Sequence, residues 1–462
     1  MKPSKLWTLL LVFIAAVAVS ACAPHQMYHT DYSLCVSDTP ETECEIHALQ
    51  EYRDAANPEQ GYVLGFVEFD DQGQLFDRRQ MREVLDRLSE LASPEDENLL
   101  MVVFVHGWKH SAAPADGNIA TFRRALEHLS ATENRIGQRS GRKPRRVVGV
   151  YLGWRGGSVT LPLAKELTFW DRKNTAHKVG RGGATEVLNR IELVRQTKES
   201  VSGTDGLGTR LVVVGHSFGG AVVFSALSQI LENGFIHTVG PEGQISNPRG
   251  FGDLVLLINP AFEAELYAPL SDMSTERGTY FRTQLPVLAV LTSEADDATG
   301  RAFPAGRWFS TLFEKTRDMQ RDNGVTGETE TIKQHDANIT AVGHFDPYIT
   351  HSLRAKEVQQ PNAATQLSVE RSSDLFYRIS QSWEDDAPGS QIEFPSSELT
   401  RTQTSAGRNP YLNVRVDKEL IKDHNDIDDP RIIEFVTQLI LISVQSEDPA
   451  ERSMMRSRGL GK

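Results

Sequence analysis

Gly215-His216-Ser217-Phe218-Gly219 lies between an apolar run, Leu211 to Val214, and a stretch of small and apolar residues from Gly220 to Leu231. The first flank reads as a buried strand and the second as a helix, so Ser217 falls at a strand-to-helix corner. A G-x-S-x-G string alone carries little information, because glycine and serine are common. Its setting changes that. So sharp a turn forces its central residue into a strained backbone conformation and lifts the hydroxyl above the sheet edge, and glycines two positions to either side leave room for it. The helix that follows presents its positive end, which favours the negative charge of an acyl-transfer intermediate.

Outward from this corner the same alternation recurs. Residues 62–69 are largely apolar and aromatic, and Asp70-Asp71-Gln72-Gly73 followed by Gln74-Leu75-Phe76 predicts a hairpin. Asp77 caps a predicted helix to about Ala92, in which Met81, Val84, Leu85, Leu88 and Leu91 recur at helical spacing. A buried strand over residues 99–105 ends in His106-Gly107-Trp108. Helices are expected over about 119–134 and 185–198 and a strand over 147–152. Beyond the corner come a helix over 221–231 and strands over 254–258 and 287–292. Strands alternating with helices predict the α/β class, a mostly parallel central sheet with helices on both faces. After Gly300 the rhythm breaks for about 110 residues rich in Ser, Thr, Gln and Pro. This reads as an insertion, about 300–410, over the active-site face. A last strand (411–416) and a closing helix (430–444) complete a domain spanning 61–445, and 446–462 is a polar tail.

The chain opens with Met1-Lys2-Pro3-Ser4-Lys5, an uncharged apolar stretch over residues 6–19, and Ser20-Ala21-Cys22, an export signal too short to span a membrane as a stable helix. Val19-Ser20-Ala21-Cys22 resembles the lipobox of bacterial lipoproteins. That resemblance implies a signal over 1–21 and an acyl group, palmitate among the candidates, on Cys22; the alternative is an ordinary signal cut near Ala21 or Ala23. Ala23 in place of Asp resembles the choice that sends such proteins to the outer membrane, facing the periplasm. Residues 22–60 are expected to be a polar tether. Cys35 and Cys44, in an exported chain, are expected either to pair across a short loop or to remain free thiols, and neither has metal-site spacing.

Lys plus Arg number 49 against 62 Asp plus Glu, a net charge of −13 that removal of Lys2 and Lys5 would carry two units further, so nucleic acid is not an expected partner.

Catalysis by a serine needs a base, a carboxylate to orient it, and donors for the oxyanion. Here the chain resembles the α/β-hydrolase superfamily: the serine corner, the upstream His-Gly after a buried strand, then an acidic loop and a histidine loop, in the order Ser, Asp, His. The resemblance implies that the backbone N–H groups of Trp108 and Phe218 form the oxyanion hole, while the side chain of His106 bonds neighbouring backbone and the Trp108 ring is free to be a core aromatic. It places the acid after the strand at 287–292, where Ser293-Glu294-Ala295-Asp296-Asp297 offers three carboxylates; Asp296 is preferred over Asp297. It places the base after the last strand, which favours His424 over His344, with His351 a further candidate. Gly180-Arg181-Gly182-Gly183 lacks the third glycine and the preceding strand of a phosphate cradle, and the acidic run from Asp423 to Asp429, directly followed by Pro430, reads as a helix cap. Trp154, Trp170 and the cluster beginning Trp308-Phe309 are expected in the core, with a role in an acyl pocket or lid as the alternative.

The function implied is a membrane-anchored serine hydrolase that cleaves carboxylic esters, lipid-like esters included, through an acyl-enzyme on Ser217. A thioesterase, amidase or peptidase would use the same residues. A non-catalytic envelope lipoprotein using the fold for binding is the alternative of a different class. No metal or organic cofactor is implied, the partners are an ester substrate and a membrane held through Cys22, and the oligomeric state is open.

Overall fold

Seven consecutive buried residues, Leu99–Val105, form a strand with apolar contacts on both sides: Met101, Val103 and Val105 enter one core cluster, Leu100, Val102 and Phe104 another. Alternate side chains of a strand point to opposite faces, so a continuous apolar run is what a strand buried on both faces requires.

The computed structural model describes residues 25–94, 97–157, 169–201, 208–281, 283–311, 314–356, 389–394, 396–427 and 429–445. The expected signal, Cys22 and the polar tail lie outside them. In chain order the strands are β1 (Asp31–Ser37), β2 (His47–Tyr52), β3 (Tyr62–Glu68), β4 (Leu99–Val105), β5 (Arg146–Gly153), β6 (Arg210–His216), β7 (Leu254–Ile258) and β8 (Leu288–Ser293). There follow a hairpin of β9 (Asp318–Asp322) and β10 (Thr329–Lys333), then β11 (His351–Ala355), β12 (Gln391–Glu393), β13 (Ser397–Arg401) and β14 (Tyr411–Val416). The principal helices are α1 (Arg78–Ala92), α2 (Gly117–Ser140), α3 (Phe169–Val179), α4 (Thr185–Val201), α5 (Phe218–Ile236), α6 (Ala264–Arg277), α7 (Phe303–Ser310) and α8 (Pro430–Gln445). Among the described residues no helix is long and apolar enough to cross a membrane.

Twelve strands form one sheet in the order β1-β2-β3-β5-β4-β6-β7-β8-β14-β11-β13-β12. From β3 to β11 every neighbouring pair is parallel, and antiparallel pairing is confined to β2 against β3 and to β11, β13 and β12. The protein is therefore of the α/β class. After β4 the chain enters α2, whose Ile119, Phe122 and Leu126 pack in one core; after β6 it enters α5, whose Phe218, Val222 and Leu227 pack in the other. Adjacent strands whose connections leave to opposite faces open a crevice at their carboxyl ends, the usual place for a ligand in an open α/β sheet.

Local sequence explains the boundaries. Asp77 caps α1 by accepting the Arg79 N–H, as its position before the apolar periodicity predicts, and α2 runs on past the predicted 134 until Gly141 takes a left-handed φ of 65°. The predicted hairpin after β3 shrinks to a single bridge, Phe69 with Leu75.

Two expectations need correction. Within 22–60, the described part is not a free tether: β1 and β2 extend the sheet. The polar residues that suggested a tether find partners inside. Buried Glu51 pairs with Arg87 (3.1 Å) and Arg146 (2.6 Å), and Gln50 donates to Cys44 O (2.8 Å). The insertion after Gly300 does not simply lie over one face either. Its strands β11, β12 and β13 continue the sheet beyond β14, which is thereby an interior strand. Residues 357–388 of that insertion lie outside the described set.

Cys35 and Cys44 form a disulfide (S–S 2.01 Å, Cα–Cα 5.8 Å) that ties β1 to the chain entering β2. Closing so short a loop is worth about 2–3 kcal/mol of chain entropy. Reduction, or the double substitution Cys35→Ser/Cys44→Ser, should lower the free energy of urea unfolding by about that amount. An unchanged denaturation midpoint would mean the strand order alone holds β1.

Candidate functional site

Ser217 stands at the end of β6 with φ 55° and ψ −121°, a region that non-glycine residues seldom enter. Its backbone is pinned from three sides. Its N–H donates to Ile258 O (2.9 Å), and its carbonyl accepts from the N–H groups of Gly220 (3.0 Å) and Ala261 (3.1 Å). Two glycines make this possible by close approach. A Cβ on Gly219 would lie 2.0 Å from Val105 O, and one on Gly107 would lie 2.6 Å from the Ser217 Cβ. The loop after β4 is thus pressed against the serine.

The side chains converge from three loops. Ser217 Oγ lies 2.6 Å from His424 Nε2, and His424 Nδ1 lies 2.9 Å from both carboxylate oxygens of Asp296. A carboxylate only accepts, so Nδ1 carries the proton and Nε2 is left to accept from the serine hydroxyl. Ser217 and Asp296 are buried and His424 nearly so. Burial by itself would raise the Asp296 carboxyl, but hydrogen bonds from His424 and Thr299 outweigh it and the group lies below the usual carboxylate range.

The competing candidates go elsewhere. Asp297 and Glu294 face the surface, paired with Arg301 (3.2 Å) and Arg354 (3.0 Å). His344 does not reach Ser217; it stands behind Asp296. Thr299 donates its backbone N–H to Asp296 Oδ1 (3.1 Å) and its hydroxyl to Oδ2, and His344 Nε2 lies 3.0 Å from that hydroxyl oxygen. With the Thr299 proton committed to the carboxylate, His344 must be the donor. His351 is buried on β11 against Thr350 Oγ1 (2.9 Å).

The loop carrying His424 is fixed by groups that no sequence motif marks. His424 O accepts from His216 Nε2 (2.9 Å) and Asn259 Nδ2 (3.0 Å), and Ser293 Oγ donates to Ile421 O (2.6 Å). His216 and Asn259 were legible only as the variable residue of the Gly-x-Ser turn and as the end of an apolar strand. Burial, then the neighbouring His424, lowers the His216 pKa to about 3, so it acts as a neutral donor.

His106 bonds neighbouring backbone as expected. It accepts the Trp154 N–H at Nε2 (3.0 Å) and donates from Nδ1 to Gly107 O (3.0 Å), and burial holds its pKa near 4. Phe218 is the first residue of α5, whose opening N–H groups have no intrahelical acceptor. Among the described residues neither its N–H nor that of Trp108 meets a backbone carbonyl outside regular structure. The Trp108 ring is buried edge-on to Phe169 (5.1 Å), which also lies 4.7 Å from Phe218. Trp154 is core, Trp170 is half-buried against Phe303 (5.8 Å), and Trp308 is exposed. The Gly180–Ala184 segment is a π-turn linking α3 to α4, and Asp429 caps α8 through the Arg431 N–H (2.9 Å).

Comparison with protein-family models, with curated proteins and with solved structures finds no match to this chain.

His106, His216 and His351 are neutral in the folded protein, pushed by burial to about 4, 3 and 3 from an ordinary value of 6.5. The unfolded chain therefore binds more protons than the folded one between those values, and stability is lost as pH falls through this window. The thermal midpoint should drop steadily from pH 6.5 toward pH 4; a flat midpoint there would contradict the neutral assignments.

Proposed function

We propose that this chain is a serine hydrolase of the α/β-hydrolase type, anchored by a lipid on Cys22 in a bacterial envelope and acting on carboxylic esters through an acyl-enzyme on Ser217. The observation that carries the reading is the directed set of hydrogen bonds from Ser217 Oγ to His424 Nε2 and from His424 Nδ1 to Asp296. Further support comes from the strained turn, the crevice between β4 and β6, and the chain order Ser, Asp, His.

In this mechanism the Ser217 oxygen attacks the ester carbonyl carbon as His424 Nε2 takes its proton. Asp296 stabilises the imidazolium that forms. Negative charge on the former carbonyl oxygen is met by the N–H groups of Trp108 and Phe218 and by the positive end of α5. Collapse breaks the bond to the alcohol, which leaves with the proton from His424. Water, deprotonated by the same nitrogen, then attacks the acyl group, and the acid departs as Ser217 is regenerated.

A fluorophosphonate probe should label the wild-type protein and leave Ser217→Ala unlabelled; a wild type that resists the probe would refute the reading. Thr299→Val keeps the side-chain shape and removes the hydroxyl bound to Asp296. It should lower kcat/KM on a p-nitrophenyl ester about tenfold, with Thr299→Ser restoring most of the loss. Without that donor the carboxylate attracts the His424 proton more strongly, so the acid limb of the pH profile should move to higher pH.

A further inference from the structure

Glu68, the last residue of β3, pairs with Gly153, one step beyond the row in which Val67 meets Leu152, Leu152 meets Val105 and Val105 meets Gly215. It therefore stands level with His216, the residue before the nucleophile, three strand spacings away, or ~14 Å. The start of the described chain is fastened to this residue. Tyr28 N–H and His29 N–H donate to the two Glu68 carboxylate oxygens (2.9 Å each), and Gln80 Nε2 donates to His29 O (2.9 Å). The His29 ring stacks on Phe66 at 3.6 Å, and His29, Glu68 and Gln80 are all buried. Further toward the N-terminus, the His25 ring lies 5.2 Å from Phe76, whose N–H donates to Glu68 O (3.0 Å).

Residues 25–29 are thus held at the end of the sheet that carries Ser217. His25 follows Cys22 by three chain steps, with Ala23 and Pro24 between them, a reach of at most ~11 Å even fully extended. The opposite end of the sheet lies a strand length away, about 23 Å for a seven-residue strand, beyond that reach.

We propose that the Ser217 end of the sheet faces the bilayer, and that the esters opened there belong to lipids embedded in it. The inference rests on the reading of Ser217 as nucleophile and Cys22 as lipid-bearing, and adds to it an orientation and a substrate class. The residues exposed at this end suit a headgroup region: Lys109, beside Trp108, and Trp308, 47% exposed on the helix that follows the Asp296 loop. Lysine and tryptophan are the side chains that sit at such a boundary, with apolar stems or rings inward and polar tips in water.

The test uses the full, processed chain in phosphatidylethanolamine–phosphatidylglycerol vesicles. Cys35 and Cys44 are bonded to each other, so one introduced cysteine can be labelled alone. Arg301→Cys lies at the Ser217 end, after β8, and Gln244→Cys at the other, between α5 and β7. A fluorophore at 301 should be quenched at least threefold more than one at 244 by a lipid with a nitroxide headgroup; equal or reversed quenching overturns the orientation. A second variant carries twenty Gly/Ser residues between Pro24 and His25, adding ~25 Å of reach. It should hydrolyse a fluorogenic diacylglycerol ester in its own vesicles at least fivefold more slowly than wild type, with soluble p-nitrophenyl butyrate unaffected. Equal rates on the embedded ester overturn the substrate class. A wild type inactive on both substrates and unlabelled by fluorophosphonate defeats the assignment of Ser217 instead, and the quenching ratio still decides the orientation. A mature chain whose mass shows no lipid on Cys22 overturns the inference.

Discussion

Ser217 occupies a backbone conformation that costs a non-glycine residue about 1–3 kcal/mol, and two neighbouring strands and a loop are engaged in keeping it there. β7 supplies the Ile258 carbonyl that fixes its N–H, β4 supplies the Val105 carbonyl against which Gly219 is pressed, and the loop beyond β4 closes over its Cβ at Gly107. Any one of these could give way in isolation. Together they leave the hydroxyl a narrow range of positions, which is why the oxygen meets His424 at 2.6 Å.

Around this strained point the protein places buried and half-buried polar groups joined by directed hydrogen bonds. From one side His344 donates to Thr299 and Thr299 to Asp296; from the other Ser217 donates to His424 and His424 to Asp296. The carboxylate is the terminus of both arms. In a low-dielectric interior an unpaired anion would be costly, so its several donors hold it ionised as well as in place. His216 and His106 show the complementary use of the same residue type: burial removes their charge and leaves rigid neutral hydrogen-bonding rings. The His424 side chain keeps 12% exposure and so retains access to solvent.

The parts of this arrangement that depend on local pattern were legible in the chain. The apolar runs of β4, β7 and β14 announced themselves with correct ends or nearly so, and the choice of Asp296 and His424 to accompany Ser217 came from the resemblance to α/β-hydrolases, which assigns them to the loops after particular strands. What pattern could not show was partnership at a distance. Glu51, Gln50, His29 and Glu68 look like surface residues one at a time, and only their ion pairs and hydrogen bonds across elements make β1, β2 and the segment before them part of the domain. Asn259 and Thr299 were invisible for the same reason. The strands β11 and β13 escaped notice because their outward residues are polar and their pairings are distant in sequence, β11 with β14 some 60 residues later and β13 with β11 some 45 residues earlier.

That late neighbour has a bearing on when the molecule becomes competent. β14 is added between β8 and β11, and the loop beyond it brings His424 to a serine 207 residues earlier. Contacts so distant in sequence form slowly and late. A chain that has emerged only as far as β13 already has its serine turn, its Asp296 loop and most of its sheet, yet lacks His424. On the proposed mechanism, activity is withheld from any form that ends before His424, and it reports on the arrival of β14 in the sheet.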